Sequence, residues 1–154
     1  MPPKEESSSS AGRTWGRARN ELLWRALDPA DPPTLAELSL LAFGVRLQAG
    51  DRLQNRRTWR NHGVTCRVFN APAPEGHYLR TMDANEQFEA LGVQRVWIPA
   101  GGGRRRVDPA RWGVAVQTAE GWVNVSKGEV QFAILIRSRS TLGASPRERS
   151  GSPS

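Results

Sequence analysis

Along the first third of the chain, apolar residues recur every three or four positions. Leu22, Leu23, Ala26 and Leu27 share one side of a helix predicted from about Trp15 to Leu27, with Glu21 and Arg25 four apart as a favourable pair. Asp28-Pro29 and Asp31-Pro32-Pro33 end it. Thr34-Leu-Ala-Glu37 then predicts a capping box, in which the threonine hydroxyl accepts from the Glu37 amide and the carboxylate reaches back. Leu35, Leu38, Leu41 and Ala42 continue that helix, and Gly44 suits its C-terminal cap. A third helix is expected from Asp51, with Gln54 as a second box residue, to about Asn61. Its apolar content is thin, mainly Leu53 and Trp59. Arg52, Arg56 and Arg60 fall at i, i+4 and i+8 and make one ridge of like charge.

The rest of the chain alternates more than it winds. Val64 to Phe69 reads as a strand, Ala71 to Gly76 as a loop, and Asp83 to Leu91 as a short helix capped by Gly92. Gln94 to Ile98 is a second strand ended by Pro99, and Gly101 to Arg106 is a turn tip. Three further strands carry Trp112, Val114 and Val116, then Val123 and Val125, then Val130, Phe132, Ile134 and Ile136, with turns at Glu120-Gly121 and Lys127-Gly128. The fold class expected is α+β, with N-terminal helices packed on a C-terminal, mostly antiparallel sheet. Composition assigns 1–13 to a disordered N-terminal segment, 14–136 to a single domain, and 137–154 to a disordered tail rich in Arg, Ser and Pro.

Charge changes this picture by its placement. The 154 residues carry +7, and 20 of the 22 basic residues are arginine. Residues 13–60 contribute +4, residues 137–154 contribute +3, and residues 111–136 are neutral. A GC-rich coding sequence yields such an arginine bias without selection. Arginine's planar fork also suits phosphate. No apolar run is long enough to span a membrane, and no N-terminal apolar stretch marks a signal peptide, so an intracellular, non-secreted protein with no membrane partner is expected.

Groups for covalent or metal chemistry are few. Cys66, His62 and His77 are the only candidates for a nucleophile and its base, and they lie at no recognised metal-ligand spacing. A half-buried cysteine is the ordinary expectation for the strand around Cys66. Glu86 and Glu89 read as solvent-facing on their short helix. No catalytic residue, metal site or cofactor is assigned. The helical third has the elements of a helix-turn-helix, with Asp51 to Asn61 as the reading helix, although the connection after Val45 is longer than that motif allows. Gly101-Gly-Gly-Arg-Arg-Arg106 offers three arginines on a glycine-rich tip, without the Gly-Lys-Ser/Thr ending of a P-loop. Core or interface packing is expected for most of the six tryptophans. Trp59 differs, because it lies among Arg56, Arg57 and Arg60, an interleaving that suits single-stranded nucleic acid.

The resulting expectation is a non-enzymatic, basic nucleic-acid-binding protein for DNA or RNA. Arg52, Arg56, Arg57, Arg60, Arg104, Arg105 and Arg106 would contact phosphates, and Trp59 would stack on bases. The alternative is a protein-interaction or host-antagonist module with a protein partner. Asn20-Glu-Leu-Leu-Trp-Arg-Ala-Leu27, Thr34-Leu-Ala-Glu-Leu38, Arg111-Trp-Gly-Val-Ala-Val116 and Gly121-Trp122 resemble, in order, elements of the papain-like leader proteases of some RNA viruses. In that resemblance the nucleophile position falls near Glu21 and the histidine position on Arg111. It therefore implies a degenerate, catalytically dead papain-like fold that acts by binding.

Overall fold

The computed structural model describes residues 10–56, 65–101 and 108–137, with side-chain surroundings from Trp15 to Ile136. Helix α1 spans Ser10–Arg25 and helix α2 spans Leu35–Phe43. Nine strands follow: β1 Arg52–Asn55, β2 Arg67–Phe69, β3 Tyr78–Thr81, β4 Gln87–Glu89, β5 Gly92–Ile98, β6 Arg111–Gln117, β7 Trp122–Lys127, β8 Val130–Gln131 and β9 Ala133–Arg137. The chain is thus mixed α+β with most of its regular structure in two antiparallel sheets. One has the order β4-β1-β9. The other runs β3-β2-β7-β6-β5, with β8 added beside β7.

The capping box forms as the sequence predicts. The Glu37 amide donates to Thr34 Oγ1 at 3.0 Å, and the Thr34 amide donates to Glu37 Oε1 at 2.9 Å. Gly44 closes α2 at φ 77°, a conformation open to glycine and strained for most other residues. Helix α1 takes in Ser10 to Arg13, which composition assigns to the N-terminal segment. Arg25 does not turn back to Glu21. It lies 3.6 Å from both Asp31 and Glu37 and donates to the Pro32 carbonyl, so it ties the end of α1 to the start of α2.

Two expected helices are strands. The Asp51 to Asn61 helix is replaced over Arg52–Asn55 by β1, the middle strand of its sheet. A helix there would have had almost no apolar face to bury. As a strand, the same residues bury Leu53 and Asn55 on one side and leave Arg52 and Gln54 on the other. Asp51 accepts from the Gln48 amide instead of starting a helix. The Asp83 to Leu91 helix is likewise absent. Glu86 accepts from the Asp83 amide and Asn85 takes φ 64°, so these residues close a turn, and β4 buries only Phe88 between exposed neighbours. Strand β3 has no alternation to announce it.

The expected strand from Val130 to Ile136 is divided at Phe132. β8 pairs with β7, and β9 crosses to pair with β1 in the other sheet. The main core lies between the sheets. Leu53, Phe88 and Ala133 from one meet Val68, Val114, Val116, Val123 and Val125 from the other, together with Ala26 and Leu38. The opposite face of β5 and β6 buries Val96, Ile98 and Ala115 under Ala73 and Trp122. Strand β6 is therefore covered on both sides, which explains its unbroken apolar run. Among the described residues, no helix is long and apolar enough to cross a membrane.

Candidate functional site

The register of the larger sheet decides which loops are neighbours. Gly113 stands opposite Lys127, and Arg111 opposite Ile98, so β5 ends, β6 begins and β7 ends at one level. Strand β2 runs antiparallel to β7, with Val68 opposite Val123, and so enters the sheet from that same end. Residues 57–64 lead into β2, and residues 102–107 join β5 to β6. Both arginine-bearing segments are therefore attached at one end of one sheet. β2 and β5 are three strand positions apart, which is roughly 15 Å at the usual strand spacing.

Each segment is clamped where it leaves the fold. Gly101 and Asp108 exchange backbone hydrogen bonds of 2.9 and 2.8 Å. Asp108 also meets Arg111 at 2.7 Å and Lys127 at 2.9 Å, while Arg111 meets Glu129 at 3.1 Å. Lys127 is almost wholly buried, and its Nζ also donates to the Pro99 carbonyl. Burial alone would raise the Asp108 carboxyl, but Lys127 and Arg111 outweigh it and hold the group below its ordinary value. At the other segment the Asn55 side chain donates to Thr65 Oγ1 at 3.0 Å and the Asp83 carbonyl at 2.8 Å, and accepts from the Cys66 amide at 3.0 Å. The Arg56 amide donates to the Phe132 carbonyl. One buried amide side chain thus fixes how the chain departs after Arg56 and returns at Thr65.

The expected phosphate-binding residues divide accordingly. Arg52 lies on β1 opposite Glu89 of β4, and Arg56 follows the end of β1, so neither stands on a helical ridge. That removes the reading helix and with it the helix-turn-helix. Arg57, Trp59 and Arg60, like Arg104, Arg105 and Arg106, lie outside the described residues. Residues 56–67 contain Arg56, Arg57, Arg60 and Arg67 and no acid, and residues 99–107 contain three arginines and no acid. Other cations serve the fold. Arg80 bridges Glu86 and Glu120, and its hydrogen bond holds the Glu86 carboxyl below the ordinary range against partial burial. Glu86 is therefore an ion-pair partner and not a solvent-facing helix residue. Sequence reading missed Arg67 because it fell inside an expected strand.

Cys66 is fully buried, and its thiol donates to the Phe132 carbonyl at 3.3 Å. Burial, with the charge of Glu86 adding to it, pushes the thiol up to about 12. Thiolate chemistry therefore lacks its reactive form at neutral pH. Iodoacetamide at neutral pH should leave Cys66 unmodified in the folded protein and alkylate it in guanidinium, as read by mass spectrometry. Because the folded value is raised from 9.0, the stability carried by the neutral thiol is complete below 9.0 and is lost as pH rises toward about 12. Rapid alkylation of the folded protein at neutral pH would show that this burial is not maintained. His62 lies outside the described residues, and among the described residues no group of three or more His, Cys, Asp or Glu is placed to hold a metal.

No family model, curated protein or solved structure matches this chain. At the two positions that the leader-protease resemblance assigns to catalysis stand Glu21, on α1, and Arg111, which is engaged by Asp108 and Glu129.

Proposed function

We propose that the protein is a non-enzymatic, basic nucleic-acid-binding protein that holds phosphates with arginines at one end of its larger sheet. The observation that carries this reading is the shared attachment of two acid-free arginine segments, at β2 and at the β5–β6 connection. The acids at that end, Asp108 and Glu129, are already paired with Arg111 and Lys127. Arg56, Arg57, Arg60, Arg67 and Arg104 to Arg106 are the phosphate contacts in this reading. Arg52 belongs to the opposite end of β1 and takes a lesser part. Helices α1 and α2 form the cover on the core side of the sheet, a reading supported by the joint burial of Leu38 and Ala26 with Val114 and Val116.

Binding of labelled DNA and RNA across a salt series tests the proposal. The association constant should fall linearly on logarithmic axes, with a slope of roughly −0.7 to −0.9 per phosphate neutralised. Replacing Arg104, Arg105 and Arg106 together by alanine should reduce that slope by about 2. Binding that ignores salt, or no binding at low salt, would defeat it.

A second reading, a protein-interaction module, is favoured by one different observation. β3 is an edge strand, and it exposes Tyr78 and Leu79 to about half of their surface (56% and 51%). One stoichiometric protein partner retained after nuclease treatment, and lost on Tyr78→Ser with Leu79→Ser, would support it.

A further inference from the structure

Helix α1 has two unlike sides. Leu22 and Ala26 are buried, and Ala26 belongs to the core with Leu38, Val114 and Val116. Trp24, between them in sequence, is 72% exposed. The helical winding runs on past Arg25, because the Leu27 amide donates to the Trp24 carbonyl and the Asp28 amide to the Arg25 carbonyl. Arg17, Asn20, Glu21, Trp24, Leu27 and Asp28 are all exposed. They fall into three pairs, each seven residues apart, so they form one outward stripe at heptad spacing. The end of the stripe is fixed to the sheet. The Trp112 amide donates to the Ala26 carbonyl at 2.8 Å, and its indole Nε1 donates to the Asp28 carbonyl at 2.9 Å. A tryptophan on a rigid element, rimmed by polar groups, has the make-up of an interface anchor.

The charges of the stripe say what fits it. Among the described residues, Arg17, Glu21 and Asp28 enter no ion pair. Asp28 spends one carboxylate oxygen on the Ala30 amide and keeps the other. Arg17 stands at the N-terminal end of the stripe and Asp28 at the other, about 16 Å apart along the axis. A polyanion laid on this side would meet Glu21 and Asp28. A second copy of the same helix laid parallel would set Arg17 against Arg17 and Asp28 against Asp28. Laid antiparallel, it brings each Arg17 to the other copy's Asp28.

We propose that the outward stripe of α1 docks on the same stripe of a second copy of this chain, antiparallel and related by a two-fold axis. Heptad positions then alternate in layers, with Trp24 level with the partner's Asn20 and Leu27 level with the partner's Arg17. Two-fold symmetry makes each contact occur twice. The two Trp24 residues stand about 6 Å apart along the axis, one on each side of its centre. The stem of Arg17 covers the partner's Leu27, and its guanidinium reaches the partner's Asp28. Near the two-fold axis the two Glu21 carboxylates approach, a like-charge contact. About six residues a side, against roughly 20–30 in a standard interface, and that repulsion make the dimer weak, with a dissociation constant on the order of 100 μM.

Sedimentation equilibrium of the nuclease-treated full chain at low ionic strength tests the pairing. Self-association is expected to rise with concentration. Trp24→Ala should weaken it roughly 30-fold or more and leave the melting temperature near that of the wild type, since the ring already faces solvent. Glu21→Gln should tighten it and Asp28→Asn should weaken it, although each removes one negative charge from a basic protein. Arg17→Asp and Asp28→Arg should each abolish it, and an equimolar mixture of those two chains should associate as tightly as the wild type, because every end then meets its opposite charge. A monomer at every concentration up to roughly 1 mM would overturn the proposal. So would a dimer indifferent to Trp24→Ala, a mixture that associates no better than its separate chains, or a shift in the same direction for Glu21→Gln and Asp28→Asn. None of these residues is a phosphate contact in the reading above, so that reading stands or falls separately.

Discussion

Exchanging Asn55 for alanine is expected to lower the melting temperature by roughly 10–15 °C. Asn55 is fully buried in the middle strand of the smaller sheet. Its side chain meets the Cys66 amide, the Thr65 hydroxyl and the carbonyls of Met82 and Asp83. Alanine would strand the buried groups that this side chain now pairs, at about 1–3 kcal/mol each. Thr65→Ala removes only the hydroxyl partner and should cost less. The double variant should fall short of the sum, because the two side chains share a network. Calorimetric melts of the three variants decide it. A shift of only a few degrees for Asn55→Ala would mean that these groups find water in the folded state.

The second large effect is expected at the base of the β5–β6 connection. Asp108→Ala should cost about 3–5 kcal/mol, because it leaves the buried Lys127 ammonium with the Pro99 carbonyl as its remaining partner. Converting the pair together, Lys127→Met with Asp108→Ala, should recover much of that loss, since an apolar stem buries without a charge. The pH dependence has a definite sign. Asp108 and Glu86 both titrate below their ordinary values of 3.8 and 4.5, so their stabilisation is complete above those values and is lost as pH falls through the depressed ones. Urea titrations from neutral pH into that acid window should show the wild type losing stability, with a smaller loss for the double variant. The idea fails if the single and double variants are equally unstable.

Legibility from sequence followed the strength of the local signal. The box at Thr34 to Glu37 was readable because it satisfies donors within four residues. Strand β6 was readable from its apolar run, and β7 from Val123 and Val125 set between the turns at Glu120-Gly121 and Lys127-Gly128. β1 was misread because its two buried residues are one leucine and one asparagine. Nothing local says that Asn55 will find Thr65, Met82 and Asp83. The same holds for the acid-to-acid spacing from Asp83 to Glu86, which closes a turn as readily as it begins a helix. For the candidate interface, the sequence displayed the arginine clusters but not that the segments bearing them attach at one end of one sheet. That shared attachment is a property of register, and register between β2 and β7 joins residues more than fifty positions apart. Trp24 was not set apart from the other tryptophans, for most of which core or interface packing was expected. Only its place between Leu22 and Ala26 on the finished helix distinguishes it.

The division of the last strand at Phe132 has a consequence for synthesis on the ribosome. β1 is made early, yet one of its two flanking strands is β9, some eighty residues later. β8, on the other side of the break, completes the edge of β7. Until residues 130–137 leave the exit tunnel, neither sheet has all its strands, and Leu53 lacks Leu135 opposite it. Such a chain gains its long-range pairings late and together. A nascent chain arrested with Val130 still inside the tunnel should therefore remain sensitive to protease, and one arrested on a linker long enough to bring Arg137 outside should become resistant.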